Sequence, residues 1–368
     1  MGVNQQLGRR RFLALSGMVG MCALSACTNT EKPVPRSSDA TAASTPQGPA
    51  PRVVASGLDT PWSMVRRRDG STLVSERDSA LIKRIDPAGN VSTFTQVPGV
   101  VPDGEGGLLG LEILVAGNTE WLYAYLSTET DNRVVRFELP KNAGNTVVLD
   151  RSEVIIQGIA KASIHNGGRI KFGPDNLLYI GTGDASQRDL AQDAASLNGK
   201  ILRVNPDGSI PASNPFTDSP VYSYGHRNVQ GLAWDSTERL WATELGPDRD
   251  DEVNLIQPGA NYGWPLVTGA PHREGLIDAA YVWESTADAS PSGMTIIGNV
   301  AYIAALRGER LWRLELSTTD SSSGGMVSEA RIVLAGQGRL RDVMSVSTNE
   351  ILIATNEGAD SRILALAI

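Results

Sequence analysis

A unit of roughly 50 residues recurs along most of the chain, and it constrains the fold more than any other feature. Each copy holds an apolar strand, a short polar stretch and a second, alternating strand. Six residues occupy equivalent places in the first strand, separated by 49, 56, 62, 61 and 51 residues: Leu73, Leu122, Leu178, Leu240, Ala301 and Leu352. β-type repeats of this length are typical of propellers. The sequence therefore predicts an all-β fold, a six-bladed β-propeller of four-stranded blades.

The alternating strand of each copy has a period of two. In residues 133–139, Val135, Phe137 and Leu139 alternate with charged residues, and residues 310–316 repeat the pattern. This alternation predicts strands with one face packed against a neighbouring blade. We expect the N-terminal strand around residues 53–55 to complete the last blade, because an open ring would expose a bare sheet edge.

The N-terminus has the pattern of an export signal. Arg9, Arg10 and Arg11 precede an apolar run, Phe12–Ala26, that is too short to span a membrane. Residues 24–27 (LSAC) resemble a bacterial lipobox, which predicts that residues 1–26 are a signal peptide and that Cys27 is lipidated. The alternative is a plain secretory signal with an incidental cysteine. We therefore expect an exported bacterial lipoprotein, anchored to the membrane on the extracytoplasmic side.

Residues 28–51 are rich in Pro, Ser, Thr and Ala and contain almost no large apolar residue. Such a stretch buries too little surface to order itself, so residues 27–51 are predicted to be the lipidated cysteine with a disordered tether. The propeller domain then covers residues 52–368. Both cysteines precede it, which excludes disulfides and thiolate metal sites from the domain. The net charge of −8 disfavours nucleic acid as a partner.

A rare histidine marks one candidate catalytic group. His165 is one of three histidines and lies in the Gly-rich segment HNGGR (165–169). Asp184 follows in GTGD (181–184), across a predicted hairpin. A histidine held by an aspartate can accept a substrate proton near neutral pH. A turn histidine that satisfies backbone groups is an equally good interpretation of the sequence alone.

Several basic and amide side chains lie in other tight turns. Arg227 could bind a planar anion through two hydrogen bonds, with Asn228 beside it, although a surface salt bridge is the simpler interpretation. Arg339 and Arg341 share one side of an extended segment, and Arg307 lies in another turn. In an acidic protein, such convergence suggests a polyanionic ligand.

Residues 244–252 (ELGPDRDDE) offer carboxylates and carbonyls, the hard oxygen ligands that Ca²⁺ prefers. A solvated acidic turn fits this composition equally well. The sequence contains no Rossmann fingerprint, no G-x-S-x-G elbow and no H-E-x-x-H motif, which argues against a nicotinamide site and two common hydrolase classes.

Taken together, ten segments resemble the soluble glucose/aldose dehydrogenases that use pyrroloquinoline quinone (PQQ), the glucose/sorbosone dehydrogenase-like family of six-bladed propellers. They occur in family order: GLDTPW (57–62), GEGGLLG (104–110), HNGGR (165–169), GTGD (181–184), LNGKILR (197–203), YGHRN (224–228), ELGP (244–247), DEVN (251–254), NYGWP (261–265) and RLRD (339–342). The resemblance covers the chain from about residue 53 to its end.

The resemblance implies a role for each candidate residue toward PQQ. His165 would be the general base, with Asp184 as its orienting carboxylate. Arg227 would face the quinone carbonyl, with Asn228 beside it. The remaining cofactor contacts that it implies are Arg307, Arg339 and Arg341.

The same resemblance implies two Ca²⁺ ions, a catalytic ion on the carbonyls of Gly246 and Pro247, and a structural ion at Glu252 and the Tyr262 carbonyl. Glu105 departs from the glucose-oxidising members, which have a glutamine there. Its carboxylate could point away, bind a cation or weaken PQQ binding.

The implied activity is oxidation of the anomeric hydroxyl of a small sugar to a lactone, with hydride transfer to PQQ and then to an unknown electron acceptor. One alternative is a non-catalytic ligand-binding propeller that keeps the scaffold and the Ca²⁺ site, since a fold does not guarantee chemistry. Another is a Ca²⁺-dependent lactone or ester hydrolase. That class needs an axial metal ringed by Asn, Asp and Glu side chains, and the sequence supplies arginines and backbone carbonyls instead.

Overall fold

The computed structural model describes residues 49–140, 146–149, 151–317 and 327–368. The predicted signal peptide, the lipidation site Cys27 and all of the tether up to residue 48 lie outside the described residues, and so these expectations stay predictions. No helix within the described ranges is long and apolar enough to cross a membrane.

Six antiparallel sheets of four strands each make up the fold, which confirms the predicted six-bladed β-propeller. The blades are numbered 1 to 6 in chain order, and their inner strands are, in that order, β2 (Pro61–Arg66), β6 (Leu108–Ala116), β10 (Gly167–Phe172), β14 (Val229–Trp234), β18 (Pro291–Ile297) and β22 (Leu340–Ser347). The second strands are β3 (Thr72–Glu76), β7 (Thr119–Ser127), β11 (Leu178–Thr182), β15 (Leu240–Glu244), β19 (Val300–Ala305) and β23 (Glu350–Thr355). The third strands are β4 (Leu81–Ile85), β8 (Asn132–Leu139), β12 (Lys200–Val204), β16 (Asp251–Ile256), β20 (Arg310–Leu316) and β24 (Ser361–Ala367). The outer strands are β5 (Val91–Gln96), β9 (Glu153–Ile159), β13 (Val221–Tyr224), β17 (Tyr281–Trp283), β21 (Val327–Ala335) and β1 (Arg52–Leu58).

The ring is closed by strand β1, as the sequence predicts. It is the outermost strand of blade 6 and pairs antiparallel with β24, with Arg52 opposite Ala365 and Leu58 opposite Ser361. Each inner strand packs against the inner strands of both neighbouring blades, and β22 packs against β2. The first and last strands of the chain therefore share one sheet, which joins the two ends of the ring.

Apolar side chains between adjacent blades form the core. Six clusters of buried residues each join two neighbouring blades. The alternation read from residues 133–139 is confirmed, because Val135, Phe137 and Leu139 are buried in the cluster between blades 1 and 2. The six equivalent repeat residues all lie on second strands and are buried. The period of two thus decides which face of each strand meets the next blade.

Two short 3-10 helices, Arg188–Ala191 and Gly358–Asp360, lie in the connections of the described part. The first follows Asp184 and belongs to the loop between β11 and β12. This loop lies at the end of the propeller where the inner strands begin and the second strands end. The candidate site residues lie at that same end.

Candidate active site

Five blades, and Glu105 in the connection that leads into blade 2, line a cavity of about 330 Å³ at the end of the propeller where the inner strands begin. Because these residues come from all around the ring, the cavity lies at the propeller axis, and we call it the axial cavity. Its lining residues are Trp62, Arg77, Glu105, Asn166, Gly167, Gln230, Leu245, Leu306, Arg339, Arg341 and Asn356. Its size is within the range of small-molecule and cofactor sites.

His165 and Asp184 form a hydrogen-bonded pair beside the axial cavity. Nδ1 of His165 lies 2.8 Å from Oδ1 of Asp184, which is buried, whereas the histidine side chain is 13% exposed. His165 has a φ of 62°, a left-handed conformation that costs a non-glycine residue about 1–2 kcal/mol. Its carbonyl accepts a hydrogen bond from the N–H of Ala185, and a Cβ on Gly183 would overlap that carbonyl. The glycine therefore lets the two loops approach closely enough for the pair to form.

Trp264 holds the other oxygen of Asp184. Its indole Nε1 donates to Oδ2 at 2.8 Å, and the backbone N–H of Ser186 donates to Oδ1 at the same distance. Burial alone would raise the pKa of Asp184, but the hydrogen bonds from His165 and Trp264 outweigh it and lower that pKa. An ionised Asp184 accepts a hydrogen bond from His165, so the proton of the neutral imidazole lies on Nδ1. Nε2 of the neutral imidazole is then left as a proton acceptor.

Glu105 faces the axial cavity instead of pointing away from it, which removes one of the three alternatives for its carboxylate. Its Oε2 accepts a hydrogen bond of 2.8 Å from the backbone N–H of His165, and its own N–H donates to the carbonyl of Ser163. The carboxylate also exerts a stabilising charge on the guanidinium groups of Arg77 and Arg341. Glu105 thus supports the strained backbone of His165 and places one negative charge among arginines.

Arg341 is a buried guanidinium without a carboxylate partner among the described residues. Its Nη1 makes only long contacts, 3.3 Å to Gln230 Oε1 and 3.4 Å to Ser292 Oγ, and its Nε has no hydrogen-bond partner. Burial, together with the positive charges of Arg77 and other nearby arginines, lowers the pKa of Arg341 to about 9. A buried charge without a counter-ion is costly. The site is therefore suited to an anionic ligand.

Arg169 adds a second buried positive charge beneath the same cavity. It forms an ion pair of 3.2 Å with Asp342 and donates from Nε to the carbonyl of Gln230, but its Nη2 has no partner. The guanidinium carbons of Arg169 and Arg341 lie 4.4 and 5.8 Å from the ring centre of Trp62. Trp62 therefore provides an aromatic surface in the axial cavity, and the guanidinium groups of two arginines lie over its ring.

The other residues predicted to bind the cofactor differ in their burial and in whether they line the axial cavity. Arg339 lines the axial cavity with an exposed side chain, and its backbone N–H donates to Glu357. Asn228 is buried, and its Oδ1 accepts hydrogen bonds from the N–H of Gly167 and from Gln230. Arg307 is exposed, donates to Thr286 and is not among the lining residues. The geometry thus brings Arg339 and Arg341 together and leaves Arg307 and the side chain of Asn228 outside the lining.

Arg227 lines a second, smaller cavity. Its backbone N–H donates to Glu244, and its Nη1 donates to the Leu245 carbonyl at 3.0 Å, while its Nε is buried without a partner. Its guanidinium carbon lies 5.5 Å from the ring centre of Trp264. Burial lowers the pKa of Arg227. Leu245 lines both cavities, so the two adjoin.

The smaller cavity, which we call the carboxylate cavity, contains all four predicted metal-binding residues. Its volume is about 10 Å³, close to the ~10–15 Å³ that one water molecule needs. Its lining residues are Gly225, Arg227, Glu244, Leu245, Gly246, Pro247, Glu252, Tyr262, Trp264, Val267 and Thr268. The residues predicted for two separate ions therefore surround a single space the size of one small ion.

Two glutamates give the carboxylate cavity its charge. Burial and the negative charge of Glu244 raise the pKa of Glu252 to about 8. Among the described residues, no group of three or more His, Cys, Asp and Glu side chains is gathered as a metal site. Two carboxylates supplemented by backbone carbonyls form an all-oxygen donor set, which fits Ca²⁺ better than zinc. A cation bound there would favour the ionised form of Glu252.

Several residues of the site have no role that the sequence predicts. Trp62, Arg169, Glu244 and Trp264 all lie within segments that carry the resemblance, yet nothing in the local pattern separates them from core residues. Arg77 lies at the end of β3, outside those segments, and its side chain pairs with Asp78. The repeat itself carries a signal for Arg77, because the position directly after the second strand lines the axial cavity in four blades, at Arg77, Leu245, Leu306 and Asn356.

Comparisons with known proteins identify the family of the chain. The family model described as Glucose / Sorbosone dehydrogenase matches residues 58–365. The structure of the PQQ-bound form of aldose sugar dehydrogenase from Streptomyces coelicolor is 44% identical and superposes with a TM-score of 0.80, covering 86% of this chain and 96% of that one.

Two curated relatives are also similar. Quinoprotein glucose dehydrogenase B of Acinetobacter calcoaceticus is 32% identical over 286 residues, which is 68% of this chain but only 60% of the relative. The aldose sugar dehydrogenase YliI of Escherichia coli is 28% identical over 355 residues, covering 82% of this chain and 88% of the relative.

Proposed function

The chain belongs to the glucose/sorbosone dehydrogenase family, and from that membership we propose that it is a quinoprotein that oxidises the anomeric hydroxyl of an aldose to the lactone. The observation that supports this proposal most is the buried guanidinium of Arg341, which lines the axial cavity and has no carboxylate partner among the described residues. PQQ carries three carboxylates, so it would supply the counter-charge that the protein itself does not.

The residues of the axial cavity fit this cofactor. Arg339 and Arg341 would bind its carboxylates, and the ring of Trp62 would pack against its planar rings. Arg227 has a buried Nε without a partner and donates from Nη1 to the carbonyl of Leu245, a lining residue, and its guanidinium would face the quinone carbonyl. When bound, PQQ would accept the hydride from the anomeric carbon of the sugar.

His165 and Asp184 would handle the proton of the reaction. Nε2 of His165 has no hydrogen bond among the described residues, so it is available to take the proton of the anomeric hydroxyl. Asp184 keeps the imidazole in the required tautomer and stabilises the imidazolium that forms. The hydrogen bond from the His165 backbone to Glu105 holds the loop in the conformation that presents Nε2.

We further propose that Ca²⁺ binds in the carboxylate cavity. Glu252 and the carbonyls of Gly246, Pro247 and Tyr262 would hold it, and its charge would offset that of the two glutamates. Because Leu245 lines both cavities, this positive charge would lie next to the axial cavity.

Reconstitution tests the function directly. Purified protein is mixed with PQQ and Ca²⁺, cofactor binding is followed by absorbance, and aldose oxidation is followed with a redox dye across a panel of sugars. We expect saturable PQQ binding and dye reduction. If PQQ binds and no aldose is oxidised, the chain is instead a ligand-binding propeller; if PQQ does not bind, the enzyme assignment is wrong and Glu105 is the first residue to replace.

Export and anchoring are a separate proposal, supported by the pattern of residues 9–27. We propose that Cys27 is acylated and tethers the propeller to the membrane on the extracytoplasmic side, where a sugar and an electron acceptor would meet it. One acyl chain binds membranes only marginally, so firm attachment requires several. Wild type should fractionate with membranes and Cys27→Ala should not; equal solubility of the two exported forms would exclude the anchor.

A further inference from the structure

Trp264 connects the acid–base pair to the rest of the site. Its indole N–H lies 2.8 Å from Oδ2 of Asp184, and both side chains are buried. The two residues are 80 positions apart and belong to loops of blades 3 and 4. Since the two oxygens of Asp184 are taken by His165 and Trp264, one carboxylate joins the imidazole to the indole.

The position of Trp264 is determined by its own backbone. Its N–H donates to the carbonyl of Gly225 at 2.9 Å, and its carbonyl accepts a 2.6 Å hydrogen bond from Gln192. Gln192 also exchanges hydrogen bonds with Asn261. Hydrogen bonds on both sides of its peptide unit thus fix the backbone of Trp264, and this keeps the indole next to Asp184.

Four charged residues lie close to this arrangement. The guanidinium carbons of Arg188 and Arg227 lie 5.3 and 5.5 Å from the ring centre of Trp264. Glu105 accepts from the backbone of His165, and Glu244 accepts from the backbone of Arg227. The ring also lines the carboxylate cavity, so it separates the negative charge there from Asp184.

We propose that Trp264 is a positioning residue for the His165–Asp184 pair: its indole N–H fixes the carboxylate so that Oδ1 faces Nδ1 of His165. The role as an aid to proton transfer rests on the proposed function, whereas the coupling of the three side chains does not. A tryptophan that serves only to fill space would stabilise the fold without affecting the titration of His165.

The Trp264→Phe variant distinguishes the two roles in the protein without PQQ. It keeps an aromatic ring and removes the N–H donor. The negative charge of Asp184 is then no longer shared with the indole, so it should stabilise the protonated imidazole more. We expect the NMR titration midpoint of His165 to move upward by about half a pH unit. Three histidines make the spectrum simple, and His165→Asn assigns the signal.

Trp312→Phe is the matched control. Trp312 is as buried as Trp264, and its indole donates to the backbone carbonyl of Asp288 in blade 5, away from His165. The midpoint should stay unchanged in this variant. No movement in Trp264→Phe, or equal movement in both variants, would overturn the proposal.

A second measurement needs no substitution of Trp264, in case its variant does not fold. In wild-type protein, the indole N–H signal of Trp264 should shift with the same midpoint as His165, and His165→Asn should abolish that shift. An indole N–H signal whose position does not change as His165 titrates would contradict the coupling.

In PQQ-loaded enzyme, Trp264→Phe should lower kcat about tenfold with KM little changed, and should move the acid limb of the pH profile upward. If the enzyme proves inactive with every aldose while the NMR coupling is observed, the proposed function fails and the positioning role stands.

Discussion

Glu244 and Glu252 lie directly opposite each other on the neighbouring strands β15 and β16, and both line the carboxylate cavity. Like charges that face each other across two strands are destabilising. Oε2 of Glu244 is hydrogen-bonded to Nδ1 of His226, and Nε2 of His226 is hydrogen-bonded to Ser223. These two bonds fix the orientation of the Glu244 carboxylate. Burial and the charge of Glu244 raise the pKa of Glu252 to about 8, so the neutral form of Glu252 is favoured beside the other carboxylate.

A divalent cation should therefore stabilise the protein through this pair. Ca²⁺ at a hundredfold excess over its Kd adds ~2.7 kcal/mol to the free energy of unfolding, because it binds only the native state. Chelator should lower the Tm of wild type and leave the Tm of Glu252→Gln almost unchanged, as measured by calorimetry. Glu129→Gln, at an exposed position, should behave as wild type does. An identical wild-type Tm with and without chelator would contradict the site.

Arg341→Met should stabilise the protein without PQQ and abolish PQQ binding. The guanidinium is buried without a carboxylate, so an apolar side chain of similar length removes a desolvation cost of about 1–4 kcal/mol. Arg339→Met is the control, since Arg339 is exposed: its Tm should hardly change while its PQQ affinity falls. Thermal unfolding and PQQ titration measure the two effects. A lower Tm for Arg341→Met would mean that the guanidinium is satisfied within the protein.

His165→Asn should lower kcat by about 10²–10⁴, the usual contribution of a general base. Asparagine cannot take the proton, whereas the arginines that would bind PQQ are unchanged, so cofactor affinity should remain within a factor of a few. Dye-linked aldose oxidation and PQQ titration are the two measurements. His272→Asn is the control, because His272 pairs with Asp278 on the surface. A kcat equal to that of wild type would assign the base to another residue.

Asp235 gives a pH prediction that does not depend on the proposed function. Its carboxylate accepts hydrogen bonds from the Trp241 indole, from Thr237 and from Arg239. Burial alone would raise the pKa of Asp235, but these bonds outweigh burial and lower it. Asp235→Asn should therefore lose on the order of 2–3 kcal/mol near neutral pH.

Because the pKa of Asp235 is lowered in the folded protein, its contribution to stability decreases as the pH falls. The stabilisation is complete above the ordinary pKa of about 4 and is lost as the pH falls through the lower folded value, so the difference in Tm between wild type and Asp235→Asn should close below about pH 4. Asp218→Asn, at an exposed position, is the control. A difference that is constant down to pH 2 would show that Asp235 acts through packing alone.

The sequence by itself determined the blades and their inward faces. Leu73 and its five equivalents recur at the repeat spacing and are all buried, because side-chain direction along a strand alternates with a period of two that depends on local geometry alone. The pairing of His165 with Asp184 was also accessible, since the two residues flank a single hairpin of blade 3. Short separations along the chain leave few ways to arrange such residues.

Only the tertiary structure decided how different blades meet. The bond from Trp264 to Asp184, the ion pair between Arg169 and Asp342, and the exclusion of Arg307 from the axial cavity join or separate residues of different sheets. No local periodicity encodes these contacts, because they exist only after separate blades have packed against one another. The same packing leaves the buried charge of Arg341 without a carboxylate partner among the described residues, since its surroundings come from blades 1, 3, 4 and 5.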